Sequence, residues 1–314
     1  MAWLTWRQHR SQLLVAAGFV LSIAVAALVT SLPVRDAYHH QALSSCLPPA
    51  ARPGCDLIVS HFRSEFASLA AVGRYLFLLP ALALLVGAPL LAREFEHGTF
   101  RLAWTQGLSR QRWLLSKTAL LGAAVVVAAA LVGVLAVWWR QPFDHVEGRM
   151  TPSAFDIEGT VVPAYTFFAL AAGVLAGLLL RRTLAGISLA AAAFVLTRLG
   201  VEKLLRPHYL PPLHRVASSA APTAHARDWV FDDKLVDSVG RRITTAREDL
   251  AIVHAQHAGI DAHQYLQALG WRRLITYQPA GRFWTFQAIE TSLFLLLGLA
   301  AIAAALFLLR RRPA

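Results

Sequence analysis

The chain has 314 residues, of which 56% are hydrophobic and only 15% charged. Soluble domains carry about 25% charged residues, so the composition excludes an ordinary soluble protein, and the long unbroken apolar runs point to a membrane. The length leaves no room for a nucleotide-hydrolysing domain beside a transmembrane one, and the complete lack of Asn excludes an N-glycosylation sequon.

Residues 1–12 set Trp3, Leu4, Trp6 and, just beyond, Leu13 among Arg7, His9 and Arg10. This pattern predicts a short amphipathic helix in the membrane interface, or simply an aromatic flank to the first span. Six apolar runs of about 20 residues follow, the length a helix needs to cross the hydrocarbon core. They cover 13–32, 75–92, 114–139, 161–180, 183–200 and 288–309. The first run is too long for a signal-peptide core and lacks a cleavage site, so it reads as an uncleaved span. The runs are too continuous for barrel strands, so each reads as a helix. The expected fold is an all-α integral membrane domain occupying 1–314.

Residues 33–74 form the first long connection, expected outside. It holds Cys46 and Cys55 in CLPPAARPGC. Two cysteines on an oxidising face can close this segment with a disulfide, the alternative being two free thiols. Two sulfurs without adjacent ligands do not make a metal site. The second long connection, 201–287, reads as an external helical region. Val230, Phe231, Leu235, Val236, Val239 and Ile243 recur there at helical spacing, and Leu250, Val253, Ile260, Tyr265, Leu266 and Leu269 continue the pattern. A separately folded outer domain is the alternative. His254, His257 and His263 lack the glutamate of a zinc-binding HExxH helix, so no metal is assigned. Tyr277, Phe283, Trp284 and Phe286 read as an interfacial aromatic belt ahead of the last span.

The net charge of +12 suggests nucleic acid until its placement is read. With the N-terminus inside, the cytoplasmic segments carry 12 basic residues and two acidic ones, Glu94 and Glu96. The longer outer segments carry 18 basic and 16 acidic residues. The excess is therefore an orientation signal that places both termini in the cytoplasm, and nucleic acid is not a partner.

The most informative stretch is REFEHGTFRLAWTQGLSRQRWLLSK, residues 93–117. Glu94 and Glu96 place carboxylates where the second span meets the cytosol, and Arg93 flanks them. Gly98 ends the helix and Thr99 can cap a new one carrying Phe100, Arg101, Leu102 and Trp104. Ser109 caps the third span, which Arg110, Arg112 and Lys117 anchor. Segment 93–113 thus reads as a rigid knob held between two spans. The pattern E-x-E-x-G-T, then an apolar helix, then Ser-Arg and a Lys seven residues on resembles the membrane subunits of ABC-2 type exporters. The start WLTWRQHR and the stretch YQPAGRFWTFQ resemble such subunits from high-GC bacteria. The resemblance implies a permease in the bacterial cell membrane, with segment 93–113 as the coupling helix that docks on a separate ATP-binding subunit. It implies a second permease copy or a related chain, and export of a small amphiphilic or lipid-like substrate such as a drug or antibiotic. ATP and Mg would sit on the partner: this chain has no GxxxxGK[ST] loop and binds no cofactor. The outer region departs from the family by its size.

Charged residues in spans are expensive and functional by default. Arg198 and Glu202 can pair at i, i+4, and Glu290 starts the sixth span, so the three are candidates for an outer gate or substrate contact. No nucleophile–base pair supports an enzyme. A membrane-embedded sensor or assembly factor that binds through 201–287 is the alternative function.

Overall fold

The computed structural model describes residues 2–40, 43–46, 55–98, 109–218 and 227–311. Among the described residues, six helices are long and apolar enough to cross a membrane. They are α1 (Ala2–His40), α4 (Leu84–Glu96, continued from a 3-10 stretch Leu76–Ala83), α5 (Arg110–Glu147), α7 (Val161–Leu180), α8 (Thr183–Gly200) and α11 (Phe283–Arg311). Short helices α2 (Cys55–Glu65) and α3 (Ala67–Tyr75) lie between α1 and α4, and α6 (Pro152–Phe155) lies between α5 and α7.

The direction of each helix follows from its contacts. Thr30 accepts a hydrogen bond from Trp139 at 2.9 Å, and the Tyr38 hydroxyl meets His145 at 3.0 Å, so α1 and α5 run parallel. Lys117 pairs with Glu94, which sets the start of α5 beside the end of α4. Arg310 donates to Gln111 at 3.1 Å, so α11 ends there too. Both α1 and α11 therefore have their outer termini at one end of the bundle, here called the basic end. The opposite end carries the connecting segments and is called the cap end.

α7 is the centre. Ala, Gly, Leu and Val dominate it, and 15 of its residues are buried against α4, α5, α8 and α11. Lipid supplies no hydrophobic drive between helices, so close backbone approach through small residues replaces it. Gly173 and Gly177 form a small-xxx-small pair facing Gly87 and Ala88 of α4. A Cβ at Gly173 would sit 2.8 Å from the Ala88 nitrogen, one at Gly177 would strike the Ala88 carbonyl oxygen, and one at Gly87 would strike the Leu170 carbonyl.

Two expectations are corrected at the cap end. The described residues of 33–74 are largely helical instead of a loop. α1 continues through Pro33 to His40, and α2 and α3 pack Phe62 and Phe66 on Val34, Trp139 and Phe143. Cys46 and Cys55 are disulfide-bonded. At 39 and 38 residues, α1 and α5 each reach about 58 Å, well beyond a hydrocarbon core of about 30 Å, so their late turns build the cap. At the other end of α1, the helix runs without a break from Ala2, and its apolar span begins at Ala17.

Segment 201–287 is not all helical. It contains a three-stranded antiparallel sheet, ordered β1 (Leu213–Ser218), β3 (Arg272–Gln278), β2 (Trp229–Val236), with α9 (Thr245–His257) and α10 (Ala262–Ala268) packed beside it. The expected helix over 229–243 fails because tertiary pairing with β3 overrides the apparent helical spacing. Val230, Phe231, Leu235 and Val236 fit a strand as well as a helix turn. Beyond β2, Asp237 Oδ1 accepts from the Val239 and Arg241 amides at 3.0 and 2.8 Å, and Gly240 takes a φ of 85°. Those amide donors, the Arg241 bond foremost, hold the Asp237 carboxyl below its usual range. The sheet is tied to the bundle through Gln278, whose amide donates to the Pro207 and Leu210 carbonyls at 3.3 and 2.8 Å.

Gly177→Leu is expected to destabilise the protein by about 3 kcal/mol or more through overpacking against α4. Gly200→Ala, where an added Cβ meets nothing within 4 Å, leaves stability unchanged. Thermal unfolding of the detergent-solubilised chain distinguishes the two.

Candidate functional site

At the cap end, the turn joining α6 to α7 carries two buried carboxylates, Asp156 and Glu158, 5% and 0% exposed. An isolated ion there would lose several kcal/mol of hydration. Each instead receives two arginines. Asp156 takes Arg198 from α8 at 2.7 Å and Arg206 at 2.6 Å. Glu158 takes Arg140 from α5 at 3.1 Å and Arg149 at 2.7 Å.

Glu290 of α11 completes the first group. Its two oxygens accept a bidentate pair from Arg206, at 2.9 Å from Nε and 2.7 Å from Nη2. Arg198 reaches it at 3.3 Å, the Tyr165 hydroxyl at 2.5 Å and the Tyr209 hydroxyl at 3.1 Å. Burial first, and then the Glu290 charge, push the Tyr209 phenol up, so it stays protonated and donates. The guanidinium of Arg198 lies 3.9 Å from the Tyr165 ring and that of Arg206 4.4 Å from Phe155. Two cations and two anions balance, so the group is neutral and enclosed. It joins α7, α8, α11 and the 155–160 turn.

Arg206 reaches this group because the helix changes pitch. Eight residues of regular α-helix would carry it about 80° around from Arg198. The π turn Val201–Leu205 holds each residue back and returns Arg206 to the same side, and the 3-10 turn Arg206–His208 then ends the helix at Pro207. The same turn removes Glu202. The expected Arg198–Glu202 pair does not form, and Glu202 meets Lys203 at 3.0 Å instead. Of the three proposed gate residues the structure brings together Arg198 and Glu290 only. Both are buried, so in this conformation they contact each other and not an open path. Sequence reasoning missed Asp156, Glu158, Arg140, Arg206 and Tyr165. The available signal was a D-x-E pair just ahead of a span and an arginine inside the apolar run WWRQPF.

At the basic end, α4 finishes with Glu94 and Glu96, capped by His97 and by Gly98 at a φ of 68°. Glu94 pairs with Lys117 of α5, whose ammonium lies 5.0 Å from the Trp113 ring. Glu96 accepts from the Thr183 amide at 2.8 Å and its hydroxyl at 2.7 Å, which caps α8. Ser109 caps α5 by accepting from the Arg112 amide at 3.4 Å. Arg93 and Arg112 are exposed. Thr99, Phe100, Arg101, Leu102 and Trp104 lie outside the described residues, as does the side chain of Arg110.

A family model described as ABC-2 membrane transporter related matches residues 17–206. The chain belongs to this family. It is an ABC transporter permease with six apolar helices, a multi-pass membrane protein. No curated protein matches the chain, and no solved structure does. The family match takes in α4, α5, α7, α8 and the 155–160 turn, and it stops at Arg206. Glu290, its partner, lies beyond it, as do β2, β3 and α11.

Removing one member of a buried ion pair strands the other, at about 3–5 kcal/mol. Arg206→Leu is therefore expected to lower the unfolding temperature sharply. Adding Glu290→Leu, which removes one charge of each sign, recovers most of the loss. A double variant as unstable as the single one would show that the pairing does not organise this end.

Proposed function

We propose that this chain is the pathway subunit of an ATP-driven exporter, paired with a second permease copy or a related chain. ATP and Mg are handled by a separate ATP-binding subunit that docks on segment 93–113. The excess of basic residues at the basic end supports an orientation with both termini in the cytoplasm of a bacterial cell, and the substrate is small and amphiphilic or lipid-like.

The observation that carries this reading is that two helices join the two ends. Glu94 holds Lys117 near the start of α5, and Arg140 near the other end of α5 holds Glu158. Glu96 holds Thr183 at the start of α8, and Arg198 at its far end holds Asp156 and Glu290. Displacing segment 93–113 therefore pulls on α5 and α8 together. Their far ends bear on one buried turn, which has a paired, closed arrangement and must break ion pairs to leave it. Such a bistable contact suits alternating access, in which closing of the ATP-binding subunits switches the cap end between shut and open. The described spans offer little besides these networks to bind a polar solute, which favours an amphiphile.

The test has two parts. Affinity purification of the chain in mild detergent is expected to recover a near-stoichiometric ATPase bearing a GxxxxGK[ST] loop. In the purified complex, Glu96→Ala is expected to uncouple: ATPase stimulation by substrate falls about tenfold while the partner stays bound. A preparation free of any such ATPase, from membranes that contain it, would turn the assignment toward a membrane-embedded sensor.

A further inference from the structure

A cavity of about 590 Å³ opens at the cap end between α5 and α11, beside the Arg149–Glu158 pair. Its wall combines Trp138, Arg149, Arg227, Phe283 and Trp284. Trp138 and Trp284 are 39% and 58% exposed, so two indoles stand at the mouth on the outer surface of the bundle. Tryptophans at such a level mark the membrane–water interface. Below the mouth α5 presents Val127, Leu131, Val134 and Trp138 as one exposed apolar stripe, at spacings of four, three and four.

The charged part is built. Arg149 stacks 4.1 Å from the Phe283 ring and is anchored on Glu158 at 2.7 Å. Arg227 donates its Nε to the His145 carbonyl at 3.2 Å, and no carboxylate among the described residues pairs with it. Its backbone presses on Gly148, where any Cβ would strike Arg227 and where φ is 81°. Glycine at 148 thus lets this arginine stand over the cavity. Asp144 also lines the space, but it is only 7% exposed and faces Arg140 and Arg149. The lining therefore keeps one uncompensated cation above aromatic faces and an apolar stripe.

We propose that this cavity binds an anionic amphiphile, with a phosphate-type headgroup on Arg227 and Arg149 and its apolar body between Trp138 and Trp284. Guanidinium forks suit phosphate oxygens, and basic sites at helix ends hold lipid headgroups in this way. The site is independent of the exporter reading, since it requires only that the cap end of α5 lie in an interface. Two sources share this chemistry, a two-chain phospholipid of the membrane and a single-chain amphiphile in transit.

Native mass spectrometry of the full chain in detergent tests the site, with dioleoyl phosphatidylglycerol, dioleoyl phosphatidylcholine and dodecyl phosphate as probes. One phosphatidylglycerol is expected to stay bound, with phosphatidylcholine about tenfold weaker. Arg227→Gln with Trp284→Ala should weaken phosphatidylglycerol about tenfold at unchanged unfolding temperature, while Arg241→Gln, on the distant turn after β2, has no effect. Displacement of the phospholipid by dodecyl phosphate identifies a site open to single-chain ligands; resistance to it identifies a lipid-specific site. Equal binding of both phospholipids, or full retention by the double variant, overturns the proposal. Should the double variant unfold, Arg227→Lys, which keeps the charge but loses the fork, must bind intermediately.

Discussion

Two carboxylates on the turn between α6 and α7 cannot be buried alone, because each would give up its hydration for nothing. Asp156 and Glu158 are buried because arginines from three directions converge on them: Arg140 and Arg149 on one, Arg198 and Arg206 on the other. Asp144, Glu147 and Glu290 meet the same arginines. These pairings fix where α5, α8 and α11 stand around α7. A polar network of this kind adds little net stability over an apolar core, yet it penalises every arrangement in which one partner is left behind. It therefore specifies a single arrangement more than it deepens it.

The centre of the bundle works by the opposite means. α7 and α4 touch backbone to backbone through Gly87, Gly173 and Gly177, contacts that tolerate no added carbon. A pair so close has little room to slide, and in the proposed cycle α5 and α8 carry displacement from the basic end to the cap end. The proposed exporter cycle follows from this contrast between a rigid axis of small residues and flanking helices whose far ends are latched by charge.

The cap adds something the family match does not cover. The sheet and α11 lie largely beyond residue 206, yet Gln278 grips the turn after Arg206, and Gln287 accepts from the Val161 amide at 3.1 Å and donates to the Phe155 carbonyl at 3.1 Å. The segment is thus continuous with the latch. The aromatic cavity lies on its lateral edge, where α11 enters the bundle.

The six spans and their order were legible in the sequence, because in lipid an apolar run of that length has no other way to satisfy its backbone. The termination of α4 near Gly98 and the capping of α5 by Ser109 were legible for the same local reason, since both depend on neighbours in the chain. The ion network was not. Asp156 and Arg206 are 50 residues apart, Tyr165 and Glu290 are 125 apart, and a one-residue widening of the helix after Gly200 decided that Arg206, and not Glu202, faces Arg198. Strand β2 was misread as helix because its apolar positions suit both periods until β3 pairs with it. Local chemistry along the chain determined which segments are helices in a membrane. Only the tertiary structure decided which charges meet, because burial sets the demand for a partner and packing alone chooses it.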